Sequence, residues 1–322
     1  MLLKKKNFFN LFPVPNYLLL SSSGISIADD NIRLIQFKHG MLGEHLELAN
    51  FAEAPTPESA VQGGYVYDGP KVSLVLAELA KKYGIQYAKA TLPEEKAYLF
   101  TASIDRVPYE GLRDAVAFII EENVPVTLAD SVFDFDIFED VPDSPKIEVA
   151  VSVLPKKVVE TYIEIFEGAG ITPISFDIES QAIARAVVKR GDSRTQLIVN
   201  LNADKTGFYI AENEVVQFTT TLPHGSNEEK PYPHINDLKM EMRKIFGIWG
   251  ARRNSIEQVL VCGPGALSHD FVEKLMEDCP ASYNLADPWV NAPLARGALP
   301  AEAIKKSFNY APAIGLALPE KG

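Results

Sequence analysis

The sequence predicts an α/β protein in which one strand-turn-strand unit occurs twice. Residues 24–37, GISIADDNIRLIQF, contain two β-rich runs separated by an Asp-Asp-Asn turn, and residues 197–218 repeat this pattern. Aligning the two stretches pairs three positions: Ser26 with Asn200, Ala28 with Asn202, and Asp30 with Asp204. Short apolar runs broken by turn residues are typical of strands. A unit repeated at the head of each half predicts a duplicated architecture.

The composition is that of a globular protein large enough for more than one compact unit. The chain has 322 residues, 47% hydrophobic and 23% charged, and a formal charge of −12. The acidic balance argues against nucleic acid as a partner. No apolar run approaches the roughly 20 residues of a membrane span. The two cysteines form no disulfide framework and fit a reducing compartment. The five histidines show no metal-ligand spacing, so we expect no metal site.

The first half continues with elements that frame the opening hairpin. Residues 44–51 are predicted as a strand, and residues 55–69 read as a loop because of their Pro, Gly and Ser content. Residues 71–83 form a helix, because Val72, Leu76 and Leu79 recur at helical spacing and Gly84 ends the pattern.

A small α/β module is predicted between the two halves. Its order is strand, helix, two strands, helix, strand, with bounds 97–104, 109–123, 132–138, 146–154, 156–169 and 171–177. We therefore divide the chain into an arm (1–23), a first half (24–90 with 178–195), a module (91–177) and a second half (196–322). Asp134 and Asp136 alternate with phenylalanines, which predicts the solvent face of a strand rather than a cation site.

The second half is predicted to be short. Three strands cover residues 197–223, a helix covers 235–249, and QVLVCGPGAL at 258–267 is a strand followed by a glycine-rich turn and a further helix, 269–278. Residues 309–318 form a closing segment. Only about 30 residues separate the hairpin from the next strand.

Taken together, these stretches resemble the actin-like fold, and within it the type IV pilus assembly protein PilM family and its FtsA relatives. The short sequence motifs that carry the resemblance are EENVP at 121–125, Asp134-Phe135, and VLP at 153–155 before a helix. The resemblance implies a duplicated, ribonuclease H-like fold. It also implies an inserted SHS2-like α/β module in the first half and a reduced lobe in the second.

The resemblance also locates a nucleotide site and suggests that it is degenerate. Actin-like ATPases carry an aspartate and a glycine in each hairpin, where this chain has Ser26 and Asn200, and Ala28 and Asn202. Serine and asparagine offer no carboxylate to magnesium, and side chains at the glycine positions crowd a phosphate. The implied contact positions are Ser26, Ala28, Asp29, Asp30, Asn200, Asn202, Asp204, Thr206, Glu241, Lys244, Gly263 and Gly265. We expect either no cofactor or ATP with magnesium bound weakly.

The function implied by the resemblance is a scaffold, not an enzyme, at the cytoplasmic face of the inner membrane. Its partner would be the cytoplasmic tail of a PilN-like membrane protein, held beside the inserted module. The alternative is an active actin-like ATPase or an FtsA-like filament former. A sugar or acid kinase needs a carboxylate base near the cleft, and the sequence identifies none. Self-association stays open.

The arm has three open roles. Three lysines precede Phe8, Phe9, Leu11 and Phe12, so the segment is a candidate for peripheral contact with an anionic membrane surface. It is also a candidate for packing on its own domain. Third, Asn10-Leu11-Phe12-Pro13 is similar to the Asn-Leu-Leu-Pro motif of PilN tails, so the arm is a candidate mimic of that tail, in its own groove or in that of a neighbouring copy.

Overall fold

The computed structural model describes residues 22–39, 46–225, 234–251, 255–292, 294 and 299–319. The predicted arm residues Phe8, Phe9, Asn10, Leu11, Phe12 and Pro13 lie outside the described residues. Within the described ranges, no helix combines the length and apolar character that crossing a membrane requires.

The strands and helices follow one another along the chain with the following bounds. The strands are β1 (Ser22–Ile27), β2 (Asn31–His39), β3 (Leu46–Pro55), β4 (Val61–Gln62), β5 (Tyr65–Val66), β6 (Tyr87–Leu92), β7 (Tyr98–Asp105), β8 (Ser131–Glu139), β9 (Lys146–Pro155), β10 (Thr172–Ile178), β11 (Gln196–Leu201), β12 (Thr206–Glu212), β13 (Val215–Leu222), β14 (Gln258–Cys262) and β15 (Ser282–Leu285). The helices are α1 (Gly69–Tyr83), α2 (Leu112–Asn123), α3 (Lys156–Gly168), α4 (Glu179–Val187), α5 (Ile235–Gly250), α6 (His269–Met276), α7 (Ala301–Lys305) and α8 (Ala311–Ala317).

Two five-stranded sheets have the same topology. The first runs β10-β6-β1-β2-β3 and the second β15-β14-β11-β12-β13. In each, the hairpin and the third strand are antiparallel, and the remaining two strands are parallel to the first. The alignment of residues 24–37 with 197–218 is confirmed in register, because Ile27 faces Ile32 as Leu201 faces Thr206.

Helices fill the space between the sheets and cover their outer faces. Helices α4 and α8 lie between the two sheets in one apolar cluster. Helices α1 and α3 cover the outer face of the first sheet, and α5 and α6 cover that of the second. The central helices need small residues. A Cβ at Gly315 of α8 would collide with the Ala182 carbonyl of α4, and one at Gly24 would collide with the Ala313 carbonyl.

The inserted module is smaller than the sequence predicts. Strands β7, β9 and β8 form a separate sheet in that order, with α2 packed on it around Val116, Ile120 and Val149. The predicted bounds 91–177 are wrong for the last two elements. Strand β10 pairs in parallel with β6 of the first sheet, and Tyr162 and Phe166 of α3 pack in the core under β1. The apolar face of α3 complements that of α1, and β10 completes the backbone pairing of β6.

The second half carries little beyond its sheet and covering helices. Helix α5 lies between β13 and β14 in sequence, and its residues Leu238, Met242 and Ile245 pack against the sheet. Two smaller differences from the sequence prediction are short strands. Strands β4 and β5 form a two-residue hairpin inside the predicted loop 55–69, and β15 extends the second sheet beyond β14.

Candidate functional site

A cleft lies where the two hairpin turns meet. Each turn is closed by the same backbone hydrogen bond: the Ala28 N–H donates to the Asn31 carbonyl at 3.1 Å, and the Asn202 N–H donates to the Lys205 carbonyl at 2.9 Å. Seven of the predicted nucleotide-contact residues line this cleft: Ser26, Ala28, Asp29, Asp30, Asn200, Asn202 and Asp204. The fold therefore brings equivalent residues, 174 positions apart in the sequence, together in one cleft.

The other five predicted positions do not line the cleft. Glu241 and Lys244 lie on α5 and pair with each other at 3.0 Å, as residues three apart on a helix commonly do. Thr206 is buried, and its hydroxyl donates to the His224 carbonyl at 2.7 Å. Gly263 and Gly265 lie in the turn beneath the cleft, where Pro264 alone reaches the lining.

Gly263 lies at a position where a side chain would not fit. Its φ is 82°, a left-handed conformation that favours glycine. A Cβ there would lie 2.5 Å from the Leu201 carbonyl oxygen and 2.7 Å from Asn200 Oδ1. The glycine turn predicted from the sequence thus allows close approach of β14 to the second hairpin.

The first hairpin turn is neutralised by its own neighbours. Asp30 accepts hydrogen bonds from Arg33 at 2.7 Å and from the Asn31 backbone N–H at 2.7 Å. Burial acts to raise the pKa of Asp30, but the Arg33 charge and these hydrogen bonds outweigh it and hold that pKa below its ordinary value. The Asp29 carboxylate accepts from the Gly63 N–H at 2.7 Å.

The second hairpin turn is connected across the cleft. Lys205 Nζ lies 2.5 Å from Glu95 Oε1 and 3.2 Å from Glu179 Oε2, so its ammonium joins the second half to two acidic groups of the first. Burial acts to lower the pKa of Lys205, but Glu179 and Glu95 outweigh it and raise that pKa. The sequence prediction missed Arg33, Glu95, Glu179 and Lys205. The position of Lys205 in the aligned turn was the one signal available for it.

The floor of the cleft is polar but carries no carboxylate at the two aligned strand positions. Ser26 and Asn200 are both buried. The Asn200 side chain accepts a hydrogen bond from the Cys262 thiol at 3.6 Å and hydrogen-bonds the Tyr209 hydroxyl. Burial raises the pKa of the Cys262 thiol, which fits a cysteine packed in the interior of β14. The Asn200 side chain is therefore already engaged by buried neighbours.

The cleft is small and acidic. It encloses about 40 Å³, whereas ligand pockets typically enclose about 300–1,000 Å³. Burial raises the pKa of Asp204; Lys205 opposes this shift, and the nearby Asp29 and Asp30 add to it. Lys205 and Arg33, the cations closest to a phosphate placed here, already pair with carboxylates.

A second, larger groove lies between the inserted module and the first half. It encloses about 330 Å³ and is bounded by β8 on one side and by β10 and the start of α4 on the other. Among the strands that the structure describes, β8 pairs with β9 alone and forms one edge of its sheet. Asp134 and Asp136 are exposed, as their alternation with phenylalanines predicts, and both line the groove.

The groove combines apolar and acidic surfaces. Its apolar lining includes Leu92, Val132, Leu154, Val159 and Phe176. Its charged lining comprises Arg113, Asp134, Asp136 and Asp177, of which Asp177 pairs with Arg185 at 2.7 Å. Such a surface suits an extended segment with apolar and basic side chains.

Two equivalent halves, a cleft between their hairpin turns and a module inserted in the first half define a protein of the actin-like fold class. The sequence profile described as "Type IV pilus assembly protein PilM" matches residues 24–228. The chain therefore belongs to the type IV pilus assembly protein PilM family.

Solved structures show the same fold. The chain is similar to a structure described as "PilM-PilN type IV pilus biogenesis complex", with a TM-score of 0.79 and 17% identity over 94% of this chain and 98% of that one. It is also similar to the ethanolamine utilization protein EutJ from Carboxydothermus hydrogenoformans, with a TM-score of 0.51 and 13% identity over 95% and 90% of the two chains. None of the curated proteins matches the chain.

Proposed function

We propose that this protein is a scaffold of type IV pilus assembly that binds the cytoplasmic tail of a PilN-like membrane protein. The groove beside β8 is the observation that carries this proposal. It is the larger of the two sites described above, and it presents a strand edge together with apolar and acidic side chains. Membership of the PilM family supports it, as does similarity to a structure whose description names PilM and PilN together.

The chemistry of the groove matches that of a juxtamembrane tail. Segments on the cytoplasmic side of membrane spans carry an excess of Lys and Arg. Asp134 offers such a tail complementary charge, and the apolar lining offers contacts for its hydrophobic side chains. An added strand would pair with the open backbone edge of β8. The protein would then sit at the inner face of the membrane through its partner.

The affinity of one site is expected to be modest. Ordering a flexible tail costs free energy, which reduces the net gain from the contacts. Several tails held close together at a membrane would raise the effective affinity. A scaffold that assembles with multiple partner copies gains from such an arrangement.

The test is fluorescence anisotropy with a labelled tail peptide from the PilN-like protein encoded by the same organism. Val132→Glu places a charge among the apolar groove residues and should weaken binding at least about tenfold. Ile137→Glu is the matched control, because it lies on the same strand with 39% exposure against 40% for Val132 but does not line the groove. Failure of the unmodified protein to bind the peptide would remove the proposal.

Deleting the N-terminal arm gives a second test with the same peptide. If Asn10 to Pro13 mimic the tail, deletion of residues 1–20 should strengthen peptide binding, because a competing segment is lost. Equal binding by the full and truncated chains would retain the scaffold and discard the mimicry. Binding of both chains to vesicles that contain anionic lipid would test whether the three lysines and neighbouring phenylalanines contact the membrane.

We propose further that nucleotide binding in the cleft is degenerate. The absence of carboxylates at Ser26 and Asn200, the small cleft volume, and the pairing of Lys205 with two glutamates support this. Calorimetry with magnesium-ATP should detect weak binding or none. Micromolar affinity, ATP turnover, or ATP-dependent sedimentation of polymers would instead favour the active ATPase or filament former.

A further inference from the structure

Three potential metal ligands converge at the start of α5. His224 follows β13, His234 directly precedes α5, and Asp237 lies in the first turn of that helix. The donor atoms of all three lie within 4.8 Å of one another. Asp237 Oδ2 is 3.6 Å from His224 Nε2 and 3.2 Å from His234 Nδ1. The two imidazole rings are stacked, with centroids 4.1 Å apart and planes 17° apart.

The sequence did not indicate this cluster, because its spacing matches no common metal motif. His234 directly precedes α5 and Asp237 lies three residues later in its first turn, but His224 follows the end of a strand ten positions earlier. The fold brings the strand end to the helix start. Histidine spacing alone therefore led to the expectation of no metal site.

The separations from Asp237 suit one ion, once the stacked imidazole rings turn so that both in-plane nitrogen lone pairs point at it. Zinc binds histidine nitrogen at about 2.0–2.1 Å and carboxylate oxygen at about 2.0–2.2 Å, almost always with tetrahedral geometry at structural sites. Two ligand atoms of such a tetrahedron are separated by about 3.4 Å, which follows from those bond lengths. The two measured separations, 3.2 and 3.6 Å, lie on either side of this value.

We propose that His224, His234 and Asp237 bind one divalent transition-metal ion of the zinc class. Two imidazoles and one carboxylate form a donor set suited to zinc and its borderline neighbours rather than to magnesium or calcium, which prefer oxygen. The fourth coordination position is left to water. The negative charge of Asp237 offsets the positive end of α5, which otherwise disfavours a cation at this place.

The ion would hold the rim of the hairpin cleft. The carbonyl of His224 accepts a hydrogen bond from Thr206, the first residue of β12. Gly225 lies so close to the second hairpin turn that a Cβ there would collide with the Ala203 carbonyl. A metal joining His224 to His234 would therefore fix the end of β13, the start of α5 and the adjacent turn relative to one another, because it closes the chain segment between them.

The experiment uses the full chain without an affinity tag, titrated with Zn²⁺ alone by calorimetry and with Co²⁺ by visible absorption. We expect one equivalent of each ion to bind, and the visible absorption of the bound Co²⁺ should be that of an ion with a low coordination number. Losing a hydrogen-bond partner of a metal ligand typically costs about 10- to 100-fold in metal affinity. Three variants that remove a ligand itself, His224→Gln, His234→Asn and Asp237→Asn, should therefore each weaken binding by about 100-fold. Asparagine is chosen at position 234 because it tolerates the φ of 69° there.

His269→Gln is the matched control, because His269 is exposed on α6 and outside the cluster. It should bind Zn²⁺ as the unmodified protein does. Hydrogen exchange provides a second readout: Zn²⁺ should slow exchange at the start of α5 in the unmodified chain and in the control, but not in the three variants. Absence of saturable binding, or equal binding by all variants, would overturn the proposal. Circular dichroism of each apo variant separates lost binding from lost folding.

Discussion

The two hairpin turns have the same backbone and opposite electrostatic arrangements. Both are closed by one N–H to carbonyl bond between equivalent residues. The first turn is neutralised within itself, because Asp30 pairs with Arg33 three residues away. The second is paired across the cleft, because Lys205 contacts Glu95 and Glu179 of the first half. A duplicated backbone therefore sets where the turns lie, while side chains decide whether a turn is independent or joins the halves.

The largest effect should follow from removing the connection across the cleft. Lys205→Met retains an unbranched side chain but leaves the partly buried carboxylates of Glu95 and Glu179 without their cation. We expect the free energy of unfolding to fall by about 3 kcal/mol, as for other buried pairs that lose one partner. Urea unfolding at pH 7 measures the change.

Lys244→Met is the control for this variant. Its ion pair with Glu241 is of the same kind but lies on one helix, and the lysine side chain is 56% exposed. Its removal should change the free energy by less than about 0.5 kcal/mol. Equal losses in the two variants would show that Lys205 does not connect the halves in the way the contacts indicate.

A smaller effect is expected at the first turn. Asp30→Asn should destabilise the protein by about 1 kcal/mol at pH 7, because Asp30 is half exposed and its partner Arg33 lies on the same hairpin. The folded-state pKa of Asp30 lies below its ordinary value of 3.8. Its charge therefore stabilises the fold above pH 3.8, and this stability is lost as the pH falls through the lowered folded value.

Unfolding curves of the unmodified protein and of Asp30→Asn at several pH values test this statement. The difference in stability should be constant near neutral pH and should shrink below pH 3.8. Asp105→Asn, at an exposed aspartate of β7, is the control substitution. A difference that grows on acidification would contradict the assigned sign.

The smallest effect should have the opposite sign. Burial raises the folded-state pKa of Asp204 above 3.8. Lys205 opposes this shift, and Asp29 and Asp30 add to it. Its charge therefore disfavours the fold at neutral pH, and the penalty disappears as the pH falls through the raised value toward 3.8. Asp204→Asn should stabilise the protein at pH 7 by less than about 1 kcal/mol, because the side chain is exposed to solvent at the rim. A loss of stability measured in the same unfolding assay would reverse the contrast between the turns.

The sequence by itself determined the repeated hairpins, most of the strands and helices of both halves, and seven residues of the cleft. These features depend on local patterns. Turn residues mark the hairpins, apolar residues recur with the periods of strands and helices, and one register relates Ser26 to Asn200 and Ala28 to Asn202. The family resemblance carried by short motifs such as EENVP and VLP added the inserted module and the identity of the fold class.

Only the tertiary structure decided which elements join which sheet and which charges meet. The sequence could not assign α3 and β10 to the first half, because their apolar patterns fit either core equally well. Nor could it pair Lys205 with Glu95, 110 residues away, or bring His224 to His234 and Asp237. Such contacts depend on how separate elements pack, and a local pattern holds no information about the distance between side chains on elements that meet only in the folded chain.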